Sequence, residues 1–404
     1  MSEVSPSLRG GTPTKQSRSN LDCFVGVPPR NDDLILLGLE RITAVAKQFI
    51  PLTFDCPVVT IAGTNGKGST VAVLSALAQA TGLNVAAYTS PHLYHFNERI
   101  QINNKQITDE KIDEISKQIE AVRGETELTY FEHTTLIALK YFHENKPDLI
   151  ILEVGMGGRL DATNIIDPTL SIITSIGLDH IAYLGETKEK IAIEKAGIMR
   201  AGKPIICGDL PLQAFLKDRA EEIGAEFYGL GEDFHCLDEI DSTLVPSNIA
   251  CAVKAAELLK LPISKEVIEG VSIPGRKQHL EVQGKSVIFD VAHNEDSIRE
   301  LVHYLSLLHP APIHLVMGIM QDKALGSALD ALVERCKTVH LAAPKTPRAM
   351  PADQLMDMME ADCRVYSSVP EAFASALGYC QKDEYVLVTG SFYTISETPP
   401  PYML

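Results

Sequence analysis

An apolar run, Val58 to Ala62, leads straight into Gly63-Thr64-Asn65-Gly66-Lys67-Gly68-Ser69-Thr70, and a segment rich in Ala, Leu and Val follows. Glycines let a backbone turn so that several N–H groups face one point, and the start of a helix adds partial positive charge there. Thr64, Asn65, Gly66, Lys67, Gly68 and Ser69 are therefore candidate ATP-binding residues, with Lys67 placed to meet the phosphates nearest the reacting end. The fit to G-x-x-x-x-G-K-[ST] is loose, because Gly63 stands three rather than five residues before Gly66 and Gly68 takes the Ser/Thr position. A glycine turn joining a strand to a helix, with no ligand, is the plainer alternative.

Phosphoryl transfer crowds anionic oxygens together, and metal ions and lysines offset their repulsion. Glu153 lies near the end of the apolar run Asp148 to Gly155, and His180 lies just past the run Leu170 to Ile176. Parallel sheets place functional side chains at the carboxyl ends of strands. A hard oxygen ligand with an occasional imidazole suits Mg²⁺ that keeps several waters and bridges phosphates. Taken singly, Glu153 could be a strand-end carboxylate paired with a lysine, and His180 a hydrogen-bonded structural imidazole. Lys195, in KEKIAIEKAGI, is on periodicity alone a solvated helix lysine.

The elements that must position these groups alternate along the chain. Short apolar runs (58–62, 84–90, 148–155, 170–176, 203–209) are separated by helical patterns at Lys67 to Ala80, Asp109 to Val122, Phe131 to Glu144, 188–198 and near Asn248 to Leu259. Strands recurring between helices of this length imply crossover connections and a mostly parallel sheet. A second cycle of about five strands follows Pro274-Gly275-Arg276, including 286–293, 313–320, 338–343 and 384–392, which predicts a smaller doubly wound α/β domain. The acidic stretch Gly229 to Val245 reads as a surface loop.

At 404 residues, two domains are the default expectation. The formal charge of -17 argues against an extended nucleic-acid surface, although a pocket can be locally positive inside an acidic protein. The eight cysteines form no C-x-x-C pair, so reduced thiols are expected. Residues 1–20 have the composition of a disordered tail, with no apolar core of a secretory signal, and no run approaches 18 apolar residues. A cytoplasmic protein with no membrane partner is the expectation.

Further segments carry a narrower resemblance. They are Ser90-Pro91-His92-Leu93, Leu128-Thr129-Tyr130-Phe131-Glu132, Gly157-Gly158-Arg159-Leu160-Asp161-Ala162-Thr163-Asn164, Ser175 to His180, Glu194-Lys195-Ala196-Gly197, Pro274-Gly275-Arg276 and Asp290-Val291-Ala292-His293-Asn294. With the G-T-N-G-K loop they resemble the Mur ligase superfamily and, within it, the bifunctional dihydrofolate synthase/folylpolyglutamate synthase family. The resemblance implies an α/β fold with an N-terminal P-loop-type ATPase domain and a smaller C-terminal domain. It divides the chain into a pteroate- and ATP-binding domain at 21–272, a linker at 273–277 and a glutamate-ligase domain at 278–404.

The implied reaction joins L-glutamate to 7,8-dihydropteroate, or to the γ-carboxyl of a reduced folate, through an acyl phosphate formed from ATP. On this resemblance Ser90, Glu153, His180 and Lys195 form the metal site, with Lys67, Glu153, His180 and Lys195 catalytic and Lys195 carbamylated. Asn248, Arg276, Asp290 and His293 join the ATP-binding set. Thr129, Tyr130, Phe131, Glu132, Leu160, Asp161 and Ala162 contact the pterin-bearing acid, where Phe131 could stack on a planar ring or simply be a core residue. A monomer is expected. The competing readings are one of the two activities alone, a Mur-type cell-wall amino-acid ligase, and a nucleotide-binding protein without turnover.

Overall fold

The computed structural model describes residues 37–308 and 311–399; the tail expected at 1–20 lies outside the described residues. An eight-stranded sheet is built from β1 (Val58–Ala62), β2 (Val85–Tyr88), β3 (Ile100–Ile102), β4 (Lys105–Gln106), β5 (Leu149–Glu153), β6 (Leu170–Ile173), β7 (Pro204–Cys207) and β8 (Glu226–Gly229). Its order is β4-β3-β2-β5-β1-β6-β7-β8, parallel from β2 to β8 and antiparallel at the β3 and β4 edge. Strands β1, β5 and β6 are buried along their whole length, as expected of parallel strands covered by helices on both faces.

Alternate residues feed two cores. Val58, Ala86, Ile150 and Leu152 face the helices Asp109–Arg123 and Tyr130–Asn145, while Val59, Ile61 and Ile151 face Lys67–Gln79 and Pro246–Leu258. Strand β1 lies at the centre between β5 and β6, where successive connections run to opposite sides. The carboxyl ends of these three strands therefore share one crevice.

A second, six-stranded sheet comprises β9 (Gln278–Val282), β10 (Lys285–Phe289), β11 (Ile313–Met317), β12 (Cys336–Leu341), β13 (Cys363–Val365) and β14 (Tyr385–Thr389), in the order β13-β12-β11-β14-β10-β9. All its pairings are parallel except the β9–β10 hairpin, an edge strand beyond the predicted cycle. Here too three neighbouring carboxyl ends, those of β11, β14 and β10, lie together. The stretch after β8 is irregular and largely exposed, as predicted, but Phe234 and Leu244 anchor it in the core. None of the seven described cysteines is disulfide-bonded, and no described helix is long and apolar enough to cross a membrane.

Candidate active site

The carboxyl ends of both sheets face a crevice of about 340 Å³. Its floor is the glycine loop. Gly66 adopts φ 87°, a left-handed conformation that glycine accepts without penalty, and caps the helix that begins at Lys67. A Cβ at Gly66 would lie 2.2 Å from Oδ1 of Asn248, so this buried asparagine packs directly beneath the turn. The loop is tied to the segment after β6: Thr64 N–H donates to Ser175 O at 2.6 Å, and Thr174 Oγ1 donates to Asn65 O at 2.7 Å. Lys67 Nζ donates to Gly63 O and Thr64 O at 3.0 and 3.2 Å, folded onto the loop its charge would serve.

Around Lys67 stand groups whose charges are costly where they are. Glu153 is buried at the end of β5 and accepts one hydrogen bond, from Ser90 N–H at 3.2 Å; among the described residues it forms no ion pair. Burial pushes its carboxyl up, against the attraction of Lys67. Burial pushes Lys67 down, against the attraction of Glu153 and Asp179. Lys195, predicted from periodicity to be solvated, is 3% exposed because the Gly157-Gly158-Arg159 turn packs onto the end of its helix, with Arg159 N–H donating to Glu194 O at 2.7 Å. Burial, with repulsion from Lys67, pushes its amine down to about 7.

His180 caps the short helix Ile181–Leu184 at φ 50°, and burial lowers its imidazole to about 4. It is thus neutral near pH 7, the form that ligates metals. A buried carboxylate with no ion partner among the described residues, a neutral imidazole and the Ser90 segment make a donor set that fits a hard divalent cation. Beside them Asp179 accepts from Lys323 Nζ at 2.6 Å, with His293 Nε2 at 3.8 Å and His180 Nε2 at 4.0 Å. Although burial opposes it, the His293 contact and the charge of Lys323 hold the Asp179 carboxyl far below the usual range. Asp179, His180 and Asp322 each place a ligand atom within 4.8 Å of the others.

The other half of the crevice is walled by the start of the helix Tyr130–Asn145 and the Leu160 to Ala162 turn. Thr129 and Glu132 form a capping box: Thr129 Oγ1 accepts from Glu132 N–H at 3.2 Å, and Glu132 Oε2 accepts from Thr129 N–H at 2.7 Å. Arg41 Nη2 also reaches Glu132 Oε1 at 3.1 Å. Asp161 accepts from Met156 N–H, Thr163 N–H and Thr163 Oγ1 at 2.9, 3.0 and 2.7 Å, which fixes the turn. Phe131 lies so close over Gly155 that a Cβ there would meet its Cζ at 2.4 Å, and Tyr88 flanks it with ring centroids 5.8 Å apart.

Most predicted site residues share this crevice: Thr64, Asn65, Gly66, Lys67, Gly68, Ser90, Thr129 to Glu132, Glu153, Leu160 to Ala162, His180, Lys195, Arg276 and His293. Ser69, Asn248 and Asp290 do not line it. Ser69 is on the first helical turn, and Asn248 supports the loop. Both carboxylate oxygens of Asp290 accept backbone N–H groups, from Lys277 and Ala292 at 2.9 Å each, so it shapes the turn that presents Arg276. Arg276 itself lies over the Phe392 ring at 5.4 Å.

The sequence reading did not single out Arg99, Lys323, Arg348, Ser391, Phe392 or Tyr393, all of which line the crevice. Strand-end position could have flagged the residues that follow β11 and β14. Arg99 gives no such signal, being buried just before the short strand β3 with its Nε donating to His92 Nδ1 at 2.8 Å.

A glycine-lysine loop at the carboxyl end of a mostly parallel sheet, closed over by a second mostly parallel sheet, defines a Mur-type ligase. The family descriptions "Mur ligase middle domain" and "Mur ligase, glutamate ligase domain" match residues 61–264 and 275–392. The dihydrofolate synthase/folylpolyglutamate synthase of Escherichia coli (strain K12) is 35% identical over 381 residues, covering 89% of this chain and 90% of the relative. The structure of E. coli FolC in complex with DHPP and ADP superposes with a TM-score of 0.84 at 34% identity, covering 90% and 92% of the two chains. The Yersinia pestis bifunctional folylpolyglutamate synthase/dihydrofolate synthase complexed with AMPPNP and Mn ion does so at 0.83 and 36% identity, covering 91% and 93%. The chain belongs to the dihydrofolate synthase/folylpolyglutamate synthase family.

Proposed function

We propose that this chain ligates L-glutamate to 7,8-dihydropteroate and to the γ-carboxyl of reduced folates, at the expense of ATP. The observation that carries this reading is one crevice in which a phosphate loop, a buried carboxylate with no ion partner among the described residues and an aromatic wall meet. The acceptor's carboxylate oxygen attacks the γ-phosphorus and ADP leaves. The glutamate amine then attacks the acyl carbon, phosphate leaves, and the amine gives up a proton.

Each residue's part follows from its place. The loop N–H groups of Asn65 to Gly68 hold the phosphates, and Lys67, once it exchanges its backbone partners for phosphate oxygens, stabilises the transferring group. Ser90, Glu153 and His180 would hold Mg²⁺, which when bound screens the phosphate charge. Lys195, with its amine near 7, is partly neutral at physiological pH, the form that adds CO₂. A carbamate there would turn a repelled cation beside Lys67 into an anionic oxygen ligand. Phe131 and Tyr130 flank the pterin ring, and closure of the lobes keeps water from the acyl phosphate.

The test is ADP release by purified chain, measured with dihydropteroate and with tetrahydrofolate as acceptors, with and without L-glutamate. Release dependent on both acceptor and glutamate is expected. A chain that turns over only a uridine-nucleotide peptide, or binds ATP without turnover, would replace this reading. Incubation with ¹³C-bicarbonate should give a carbamate NMR signal that Lys195→Met removes.

A further inference from the structure

Amide formation between a pterin-bearing acid held in one lobe and glutamate held by the other requires the lobes to meet in one orientation. Polar contacts cross the crevice at the glycine loop, where the Asn65 and Asn294 side-chain amides bond reciprocally at 3.1 Å, and at Asp179. Asp179 follows β6 in the first lobe; Lys323 follows β11 in the second. The Lys323 ammonium lies 2.6 Å from Asp179 Oδ1, and the two side chains are 7% and 11% exposed.

An ion pair this enclosed costs much to desolvate and is by itself a poor source of stability, so a role in orientation accounts for it better. The same carboxylate takes the His180 backbone N–H at 2.8 Å and faces the imidazoles of His180, from its own lobe, and His293, from the other. His293 Nδ1 is engaged with Val291 O at 2.8 Å, which leaves Nε2 turned toward Asp179. Behind Lys323 the charges continue to alternate, through Asp322 at 3.6 Å to Arg348 at 3.2 Å, so the ammonium is anchored on the second lobe.

We propose that Asp179 and Lys323 form an interlobe positioning pair, which seats the second lobe on the first and aims His180 and His293 into one crevice. The pair acts through the two imidazoles and not on the reacting atoms. This rests on the ligase reading for its effect on turnover, whereas its effect on lobe closure stands apart from it.

The experiment compares the full chain with Lys323→Met, Asp179→Asn, the double variant and Lys323→Arg. Three quantities are measured on the same samples: glutamate-dependent ADP release at saturating substrates, ADP affinity by calorimetry, and lobe separation by solution scattering with Mg²⁺ and ADP. A misplacement of the catalytic groups should lower kcat by on the order of 10²-fold in Lys323→Met and in Asp179→Asn. The double variant should be no worse than the poorer single one, ADP affinity should stay within about 2-fold, and scattering should show wider separation. Lys323→Arg should restore both kcat and compactness.

Losses that multiply in the double variant, or near-normal kcat and compactness in Lys323→Met, would overturn the pair. A parent chain with no glutamate-dependent release would sink the ligase reading alone, since scattering on the four variants would still decide whether the pair closes the lobes.

Discussion

At the Lys67 end of the crevice the ionisable side chains hold bonds in reserve. Lys67 donates to backbone oxygens, Glu153 accepts from one N–H, and Lys195 makes no ion pair among the described residues. At the opposite end, by the Tyr130 helix start and the Leu160 turn, the carboxylates are fully engaged: Asp161 accepts from Met156 and twice from Thr163, and Glu132 serves both Thr129 and Arg41. The first arrangement stores electrostatic tension that a charged ligand relieves. The second fixes a shape. Residues of one type thus answer to different tests, turnover at one end and stability or acceptor affinity at the other.

The comparison breaks most sharply at Glu153 and Lys67. Glu153→Ala and Lys67→Ala should each lower kcat by at least ~10²-fold, as deletion of a preorganised electrostatic group does; near-normal turnover at saturating substrate would remove that role. Lys195 sharpens it through pH. An unfolded lysine titrates near 10.5 and this one at about 7, so between those values the unfolded chain holds the extra proton and stability rises with pH. Below about pH 7 the full cost of the buried ammonium is present. In CO₂-depleted buffer Lys195→Met should therefore melt above the parent at pH 6, with the gap closing as pH approaches 10.

Asp161→Ala should act on the other side of the comparison. It leaves buried donors unsatisfied, for a stability loss of roughly 2 kcal/mol by denaturant titration, and a loss seen only in kcat would contradict the division. Phe131→Leu should have the smallest effect, raising KM for the pterin acceptor about 10-fold, within the range of a lost stacking contact, with KM for ATP unchanged.

Much of this was legible because glycine loops and buried parallel strands write themselves into local sequence: β1, the Lys67 turn and Glu153 at a strand end were all readable. Short strands at or next to the sheet edges were not. Strands β3, β4, β8 and β9 carry sequences such as IQI, KQ, EFYG and QHLEV, whose mixed composition gives no continuous apolar run. Burial of Lys195 was equally hidden, because it comes from a turn more than thirty residues away packing onto its helix. The Thr129–Glu132 capping box was present in the letters as T-x-x-E, and it starts the helix at Tyr130, one residue before the predicted Phe131. Asp179 and Lys323 meet only through the docking of two lobes, which no local pattern encodes.

The bare peptide at Gly155 has one more consequence. With an aromatic plate resting on main chain, the width of the proposed acceptor slot is gauged by the backbone just past β5. Even a methyl group at that position would prise the plate away, so the slot should grade acceptors by thickness, admitting bicyclic pterin rings and refusing bulkier ones.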